Sequence, residues 1–147
     1  MPDIIVRKAQ KEDAGALIEL YFQLDETTEL ATLAQAESAI EEISKQPMIH
    51  LLIAELDKQV VGTVTLVLVP NVYHAARPWA QVENVVVHDA HRRSGIGHAL
   101  MARCEQITRE ADGYKLQLQS SHKRKEAHTF YQKEGYGPNK VGFTKYL

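Results

Sequence analysis

Cysteine is almost missing from this chain of 147 residues: Cys104 stands alone. A single cysteine cannot form an intramolecular disulfide, which excludes a secreted fold held together by several disulfides. The first residues lack the apolar core of a signal peptide, and no apolar run approaches the length of a membrane-spanning helix. We therefore expect a cytoplasmic protein without a membrane partner.

An excess of charge of one sign is lacking as well. The formal net charge is −2, with 17 lysine and arginine residues and 19 aspartate and glutamate residues mixed along the chain. A dedicated nucleic-acid-binding domain usually has a strong basic balance, so the composition argues against a nucleic-acid partner. The seven histidines are spread singly and form no spacing typical of metal ligands, so we expect no metal.

The apolar pattern alternates between the periods of helices and strands without a linker that would divide the chain. In the first half it predicts a strand at 4–7, a helix capped by Asp13, a second helix closed by Pro47 and strands at 50–56, 60–69 and 81–87. In the second half it predicts a helix over 96–111, a strand at 114–119, a helix through 127–131 and a strand at 142–147. This order indicates one α/β domain over residues 1–147 with a mixed sheet.

Residues 91–100, HRRSGIGHAL, combine positive charge with two glycines where a strand is predicted to lead into a helix. Gly95 and Gly97 lack a Cβ, so the backbone there can turn tightly and bring its N–H groups close to a ligand. The first-turn N–H groups of a helix are unpaired and carry roughly half a positive charge. With Arg92 and Arg93 beside them, they predict a site for an anion, above all a phosphate. An ordinary turn with solvated arginines is the alternative.

Two common nucleotide-binding motifs fit this stretch badly. A P-loop ends in Gly-Lys-Ser/Thr, and a dinucleotide fingerprint needs glycine at the position of Leu100. The pattern R-x-x-G-x-G at Arg92, Gly95 and Gly97, preceded by VENVVV, resembles the pyrophosphate loop of the GNAT superfamily of acetyl-CoA-dependent N-acetyltransferases. Downstream, AHTFYQKEGY resembles the A-x-x-x-Y-x-x-x-G-F/Y element of that family. The resemblance covers nearly the whole chain.

The resemblance implies a GNAT fold of the α/β class, with a single mixed, mainly antiparallel sheet, splayed central parallel strands and about four flanking helices. It also implies acetyl-CoA as cosubstrate, whose pantetheine arm would pair with the main chain of Val85, Val86 and Val87. The residues implied to hold the coenzyme A phosphates are Arg92, Arg93, Ser94, Gly95, Ile96, Gly97, His98 and Arg124. At Arg124 many members have asparagine, and a solvated helix start is the alternative there.

Two catalytic side chains follow from the same resemblance. Tyr131 stands where the family usually has the tyrosine that protonates the departing thiolate, and a core aromatic is the alternative. The attacking amine must lose a proton, and transfer from an alkylammonium with a pKa near 10 to a carboxylate near 4.3 is uphill by roughly 8 kcal/mol. A base must therefore have its pKa raised by burial, act through water, or receive an amine that is already neutral. Glu83, at the mouth of the central strand, is the candidate, and strict alternation predicts that it shares a face with Val85 and Val87. A strand-end carboxylate that orders water is the alternative.

The acceptor is less well specified. The run KRKEAHTFYQKEGY and the ending GFTKYL resemble the C-terminal part of aminoalkylphosphonate N-acetyltransferases, in which Trp79 also has a counterpart. We therefore expect a small-molecule amine as substrate, of anionic type. The candidate substrate-binding residues in loops are Tyr21, Asp25, His74 and Arg77, with ordinary loop surface as the alternative for each. Asn84 on the central strand is a further candidate, with a hydrogen bond to the backbone as its alternative.

Two other functions stay open from the sequence: a protein N-terminus or lysine could be the acceptor, or the chain could bind acyl-CoA as a sensor without turnover. GNAT proteins of this size usually form homodimers, and the apolar run VVGTVTLVLV is a candidate contributor to the interface. Cys104 falls on the apolar stripe with Leu100 and Ile107, which predicts a packed thiol rather than an acyl-carrying nucleophile.

Overall fold

Five strands lie side by side in chain order and form one mixed sheet. They are β1 (Ile5–Lys8), β2 (Ile49–Leu56), β3 (Gln59–Val69), β4 (Trp79–Val87) and β5 (Lys115–Leu118). The first four strands pair antiparallel, each with the next. The computed structural model describes residues 3–147, which form two units, one running to Gln117 and the other comprising Leu118–Leu147.

Five helices connect or follow the strands: α1 (Ala14–Leu24), α2 (Leu33–Ser44), α3 (Tyr73–Ala76), α4 (Ile96–Glu110) and α5 (Lys125–Lys133). The predicted order is confirmed as far as Lys133, with the short α3 added in the expected loop and β4 beginning at Trp79 instead of at residue 81. Within residues 3–147, no helix has both the length and the apolar character needed to cross a bilayer.

The β2–β3 hairpin turns at the predicted pair. Asp57 and Lys58 have φ values of 49° and 64°, the left-handed conformation that a tight two-residue hairpin turn requires. The apolar residues of β3 that the turn leads into are buried within the chain: Val61, Val64, Leu66 and Leu68. These four side chains are therefore not available for an interface between two copies of the chain.

Two helices, α1 and α2, cover one face of the sheet. Ala14 and Leu17 of α1 and Ile40 of α2 pack against Leu51 and Ile53 of β2 in one buried cluster. With the partly buried residues of the same cluster, Ala14, Leu17 and Tyr21 repeat at helical spacing in α1, and Ala36, Ile40 and Ile43 do so in α2. A local pattern was therefore sufficient to predict both helices.

The third large helix, α4, covers the opposite face. A Cβ added to Gly62 on β3 would lie only 2.9 Å from the Ile96 Cγ2, so this glycine allows the start of α4 to approach the strand closely. The buried residues of α4 include the predicted stripe of Ile96, Leu100, Cys104 and Ile107. Cys104 is fully buried, and burial raises its pKa to about 12, which confirms the packed thiol.

A β-bulge interrupts β4 at Asn84. Thr65 pairs with Glu83 and Thr63 pairs with Val86, so two residues of β4 lie opposite one residue of β3. Asn84 has a φ of 55°, in the left-handed region that asparagine tolerates better than most residues. The bulge shifts the alternation of every β4 residue that follows it.

The predicted face of Glu83 is therefore wrong. Glu83 shares a face with Val86, because their partners Thr65 and Thr63 are two residues apart on β3. Val87 pairs with Gly62 and so lies on the opposite face, while Val85 falls within the bulge. Strict alternation holds only where no extra residue is inserted into the strand.

The second unit, Leu118–Leu147, has α5 as its only helix. The strand expected at 142–147 is wrong, since these residues form no regular structure. Phe143 and Tyr146 are each 93% exposed. Aromatic residues favour strands because they pack on a pleated, half-buried surface, and here they have no such surface to pack on.

Candidate active site

The glycine pattern forms the N-terminal end of α4, which we call the α4 mouth. After a 3₁₀ turn (Asp89–His91), the chain passes through two left-handed residues, Arg93 with a φ of 63° and Gly95 with a φ of 82°. Gly95 is the N-cap of α4, and its carbonyl accepts the Ala99 N–H at 3.0 Å. The amides of residues 96–98 belong to the first turn, where the helix offers them no carbonyl. This mouth is suited to a phosphate group.

The segment before the mouth is joined to α1. The Asp89 N–H donates to the Gln23 Oε1 at 2.9 Å, and the His88 Nε2 lies 3.4 Å from the Glu19 Oε1. Arg92 is directed back along the loop, with its Nη2 2.6 Å from the Asp89 Oδ1. The predicted phosphate-binding arginine is thus exposed and held by a neighbouring carboxylate.

A polar cluster lies on the α1 face of the sheet beside the bulge. Glu83 is exposed, and the hydroxyl of its cross-strand partner Thr65 lies beside the Tyr21 phenol, as does that of Thr63. Burial raises the pKa of Tyr21 by more than these two hydroxyls lower it, so the phenol is protonated at neutral pH. The structure therefore brings together Tyr21 and Glu83, which were predicted separately as a substrate-binding and a catalytic residue.

Two glutamines that were not predicted from the sequence extend this cluster from β4 to β5. The Gln81 Nε2 donates to the Glu83 Oε1 at 3.2 Å, and the Gln117 Nε2 donates to the Gln81 Oε1 at 3.0 Å. Gln81 is two residues before Glu83, so period-2 spacing could have placed it on the same face. No local pattern could have joined it to Gln117, which is 36 residues away on β5.

The predicted substrate-binding loop contacts the turn between α4 and β5. The Arg77 guanidinium donates from Nε to the Asp112 carbonyl at 3.1 Å and from Nη2 to the Gly113 carbonyl at 3.2 Å. The His74 ring stacks on Tyr114 with 4.0 Å between ring centroids. Three consecutive residues, 74–76, have left-handed φ values. Arg77 and His74 are thus held together, next to β4 and against the first residues that lead into β5.

Asp25 is the residue that follows α1, and its carboxylate accepts hydrogen bonds within the turn that begins there. The Asp25 Oδ1 accepts hydrogen bonds from the Thr27 N–H at 2.9 Å and from the Thr27 hydroxyl at 2.6 Å. These two bonds lower the pKa of Asp25, which is exposed. A fixed, ionised carboxylate at this position is able to receive a cationic group.

Tyr131 and Arg124 belong to the second unit, both in or beside α5. The Tyr131 ring is buried and lies edge-on to Phe130 and Tyr136, with centroid distances of 5.2 and 6.2 Å. Burial raises the pKa of Tyr131, and the charge of Arg124 lowers it by less. The phenol is therefore protonated at neutral pH, the form that a proton donor needs.

Among the described residues, no three His, Cys, Asp or Glu side chains come together as a set that could hold a metal ion. The first unit instead offers amides at the N-terminal end of α4 and a carboxylate beside a bulge, and the second unit offers a buried phenol. Those groups can bind an anion, accept a proton and donate a proton, respectively.

Comparisons with known proteins identify similar sequences and a shared fold. An acetyltransferase from Agrobacterium tumefaciens str. C58, whose assignment is provisional, has a solved structure with a TM-score of 0.91 and 31% identity, covering 97% of this chain and 99% of that one. Aminoalkylphosphonate N-acetyltransferase of Salmonella typhimurium is 33% identical over 102 residues, 69% of this chain and 65% of that protein. This chain thus spans slightly less than two thirds of that relative.

A second relative matches more of its length at lower identity. Glucosamine 6-phosphate N-acetyltransferase of Trypanosoma brucei brucei is 27% identical over 134 residues, 91% of this chain and 89% of that protein. Residues 14–136, which include the α4 mouth, the bulge and α5, match the Acetyltransferase (GNAT) family. The chain therefore belongs to the GNAT family of acetyltransferases.

Proposed function

We propose that this protein transfers the acetyl group of acetyl-CoA to the primary amine of a small anionic molecule, by direct attack in a ternary complex. The β4 strand is the observation that carries the proposal. Glu83 is exposed just before the bulge, on the face of Tyr21 and Thr65, and the strand ends before the α4 mouth, the proposed phosphate site. One strand would therefore position both the proposed base and the proposed anion site.

The residues fit coenzyme A, which GNAT proteins use as acetyl-CoA. Its pyrophosphate would bind the amides of residues 93–98, because Gly95 is left-handed and the N-terminal end of a helix favours an anion. The main chain of Val85, Val86 and Val87 would align the pantetheine arm. Arg92, Arg93 and Arg124 would supply positive charge near the phosphates. Acetyl-CoA contributes an acetyl group activated as a thioester.

Glu83 would take the proton from the acceptor ammonium. The carboxylate is exposed and lies on a face that also presents the Tyr21–Thr65 hydroxyl pair, so an amine can reach it. Asn84 and Tyr21 would bind the acceptor beside it. Tyr131 would donate a proton to the thiolate as it leaves, a role that suits a buried and protonated phenol.

An anionic acceptor is proposed from the two relatives. Their names pair a primary amine with a phosphonate or a phosphate. In this chain, Arg77 and His74 are the groups proposed to bind such an anion, and Asp25 is proposed to receive the ammonium. The hydrogen bonds that fix Arg77 to the α4–β5 turn would orient its guanidinium before the ligand arrives.

The test is thiol release from acetyl-CoA across a panel of acceptors: 2-aminoethylphosphonate, glucosamine 6-phosphate, glucosamine, spermidine and peptides with free N-termini or lysines. We expect turnover with the phosphonate or the sugar phosphate, at least tenfold faster than with glucosamine. Preference for peptides would favour a protein acetyltransferase instead. Tight acetyl-CoA binding without turnover of any acceptor would favour a sensor.

We also infer that the protein acts in the cytoplasm as a homodimer of one acetyltransferase domain spanning residues 1–147. Because Val61, Val64, Leu66 and Leu68 of β3 are buried within the chain, the interface would use other residues. Analytical ultracentrifugation at micromolar concentration tests this, with twice the 16.6 kDa chain mass expected.

A further inference from the structure

Gln81 on β4 and Gln117 on β5, the last strand in the sheet order, form a polar connection with no role in the proposed chemistry. Both side chains are half-buried on adjacent strands, where β-branched and aromatic residues are usually favoured. A glutamine ordered there loses more side-chain freedom than a valine would. The two amides are hydrogen-bonded to each other and to one carboxylate, that of Glu83.

The two hydrogen bonds run in one donor-to-acceptor order, from Gln117 through Gln81 to Glu83. A glutamine amide has one oxygen and one nitrogen, so a partner that occupies the oxygen also determines where the nitrogen points. The Gln117 Nε2 donates to the Gln81 Oε1 at 3.0 Å, and the Gln81 Nε2 is then directed to the Glu83 Oε1 at 3.2 Å. The same Gln81 nitrogen also donates to the Val82 carbonyl at 3.4 Å.

A surface pair elsewhere in the chain shows what an ordinary contact of this type looks like. On α4 the Gln106 Nε2 donates to the Glu110 Oε1 at 3.0 Å, between two exposed side chains one turn apart. That pair is local and faces solvent. The Gln117–Gln81–Glu83 connection differs because it joins two strands and ends on the carboxylate beside the bulge.

We propose that Gln81 and Gln117 are positioning residues for Glu83. Gln117 sets the orientation of the Gln81 amide, and Gln81 holds the Glu83 Oε1, so that Oε2 is the oxygen that takes the proton from the acceptor ammonium. The proton moves from the amine nitrogen to this oxygen and then to solvent. The inference rests on the proposed role of Glu83 as base and assigns the residues that orient it.

The first test is kinetic and uses the intact protein with acetyl-CoA and 2-aminoethylphosphonate or glucosamine 6-phosphate. Q81L is expected to lower kcat about tenfold and to leave the KM for acetyl-CoA unchanged, because misplacing a catalytic group affects the chemical step. In the E83Q background, Q81L should have no further effect on kcat. A Q81L variant as active as the wild type, alongside a slow E83Q variant, would overturn this inference and leave the base role intact.

The direction of the connection can be tested separately. Q117E offers only acceptors, so the Gln81 amide would turn its nitrogen toward residue 117 and its oxygen toward the Glu83 carboxylate. We expect kcat to fall as far as in Q81L, and Q81L/Q117L to be no slower than Q81L alone. The matched control is Q106L, which removes a comparable glutamine–glutamate hydrogen bond and should retain full activity. Additive losses in the double variant would contradict a series arrangement.

A third measurement needs no acceptor at all. In ¹⁵N-labelled protein, the side-chain amide protons of Gln81 should change chemical shift as Glu83 titrates, and E83Q should abolish that change. The Gln106 amide should follow Glu110 instead. If the Gln81 amide protons were insensitive to E83Q, the hydrogen bond would not exist in solution and the positioning role would fail. If E83Q left kcat unchanged while the bond was present, the proposed base would be the part that fails.

Discussion

Thr65 on β3 is the cross-strand partner of Glu83 on β4, and the Thr65 side chain also lies beside the Tyr21 phenol. Residues that are distant in sequence thus form one polar site on the α1 face of the sheet. The Asn84 bulge follows immediately, so the site lies where the strand changes its alternation. Five predictions test how this site, the α4 mouth and the surrounding fold work.

Replacement of Glu83 by glutamine should lower kcat at pH 7.5 by about 100-fold, because positioned proton transfer contributes about that much or more. Thiol release from acetyl-CoA with a saturating acceptor measures this. E110Q, on an exposed carboxylate of α4, is the matched control and should have wild-type kcat. An unchanged kcat in E83Q would exclude Glu83 as the base.

Replacement of Tyr131 by phenylalanine removes the buried hydroxyl and keeps the ring that lies against Phe130 and Tyr136. We expect kcat to fall at least tenfold, with acetyl-CoA affinity unchanged, since the lost proton donor acts on the leaving thiolate. Y146F, at a tyrosine that is 93% exposed, controls for a general effect of losing a hydroxyl. Wild-type kcat in Y131F would leave Tyr131 as a core aromatic.

The α4 mouth is tested by G97V. A branched side chain in the first helical turn would stand among the amides proposed to bind the pyrophosphate, so the Kd for coenzyme A should rise at least tenfold. Isothermal titration calorimetry measures the Kd. G15A on α1, where an added Cβ meets nothing within 4 Å, should bind coenzyme A normally. Unaltered affinity in G97V would place the pyrophosphate elsewhere.

The Arg7–Asp13 ion pair should stabilise the fold in a pH-dependent way. Arg7 binds both oxygens of the buried Asp13 carboxylate, at 2.8 and 3.0 Å. Burial by itself would raise the pKa of Asp13, but hydrogen bonds from Arg7 and the Gln10 N–H outweigh it and lower the pKa below the ordinary 3.8. The ionised form therefore favours folding, and its contribution is present above that value and lost as the pH falls through the lowered pKa.

R7M should accordingly lower the free energy of unfolding by about 2 kcal/mol at pH 7, a figure limited by the partial exposure of the guanidinium. Urea unfolding of the variant and the wild type should give a smaller difference at pH 2.5. R109M, at an exposed arginine on α4, should show no such difference at either pH. An equal loss at both pH values would mean that Arg7 stabilises through packing alone.

His50 on β2 should make the fold sensitive to mild acid. Both ring nitrogens are buried without a hydrogen-bond partner among the described residues. Burial lowers the pKa of His50 below 6.5, and the charges of Lys8 on β1 and Arg103 on α4 lower it further. As the pH falls, His50 is protonated in the unfolded chain before it is protonated in the folded one. The free energy of unfolding is therefore unaffected by His50 above pH 6.5 and decreases as the pH drops toward the lowered pKa.

H50L should remove this acid dependence and raise stability at pH 5.5 relative to the wild type. Denaturant unfolding between pH 5 and pH 8 gives the slope directly. H122L, at an exposed histidine, should retain the wild-type slope. A slope unchanged by H50L would assign the acid sensitivity to another group.

Local patterns were sufficient for most of the architecture. The stripe from Ile96 to Ile107 predicted α4 and its buried thiol, and the pair Asp57-Lys58 predicted the hairpin turn. These features depend on the period of one helix or the conformation of one turn, which neighbouring residues determine. The glycine pattern likewise predicted an anion site, because a helix start with unpaired amides is a local structure.

Tertiary structure decided the composition of the candidate site and the form of the chain's last residues. The Asn84 bulge places Glu83 and Val87 on opposite faces of the sheet, although strict alternation predicts one face. An inserted residue can be recognised only from the pairing with the neighbouring strand. Tyr21, Thr65, Glu83, Gln81 and Gln117 come together through strand pairing and helix packing, so no sequence spacing joins them. The apolar ending lacks a strand for the same reason, because β propensity describes fit to a neighbouring surface that only the folded chain supplies.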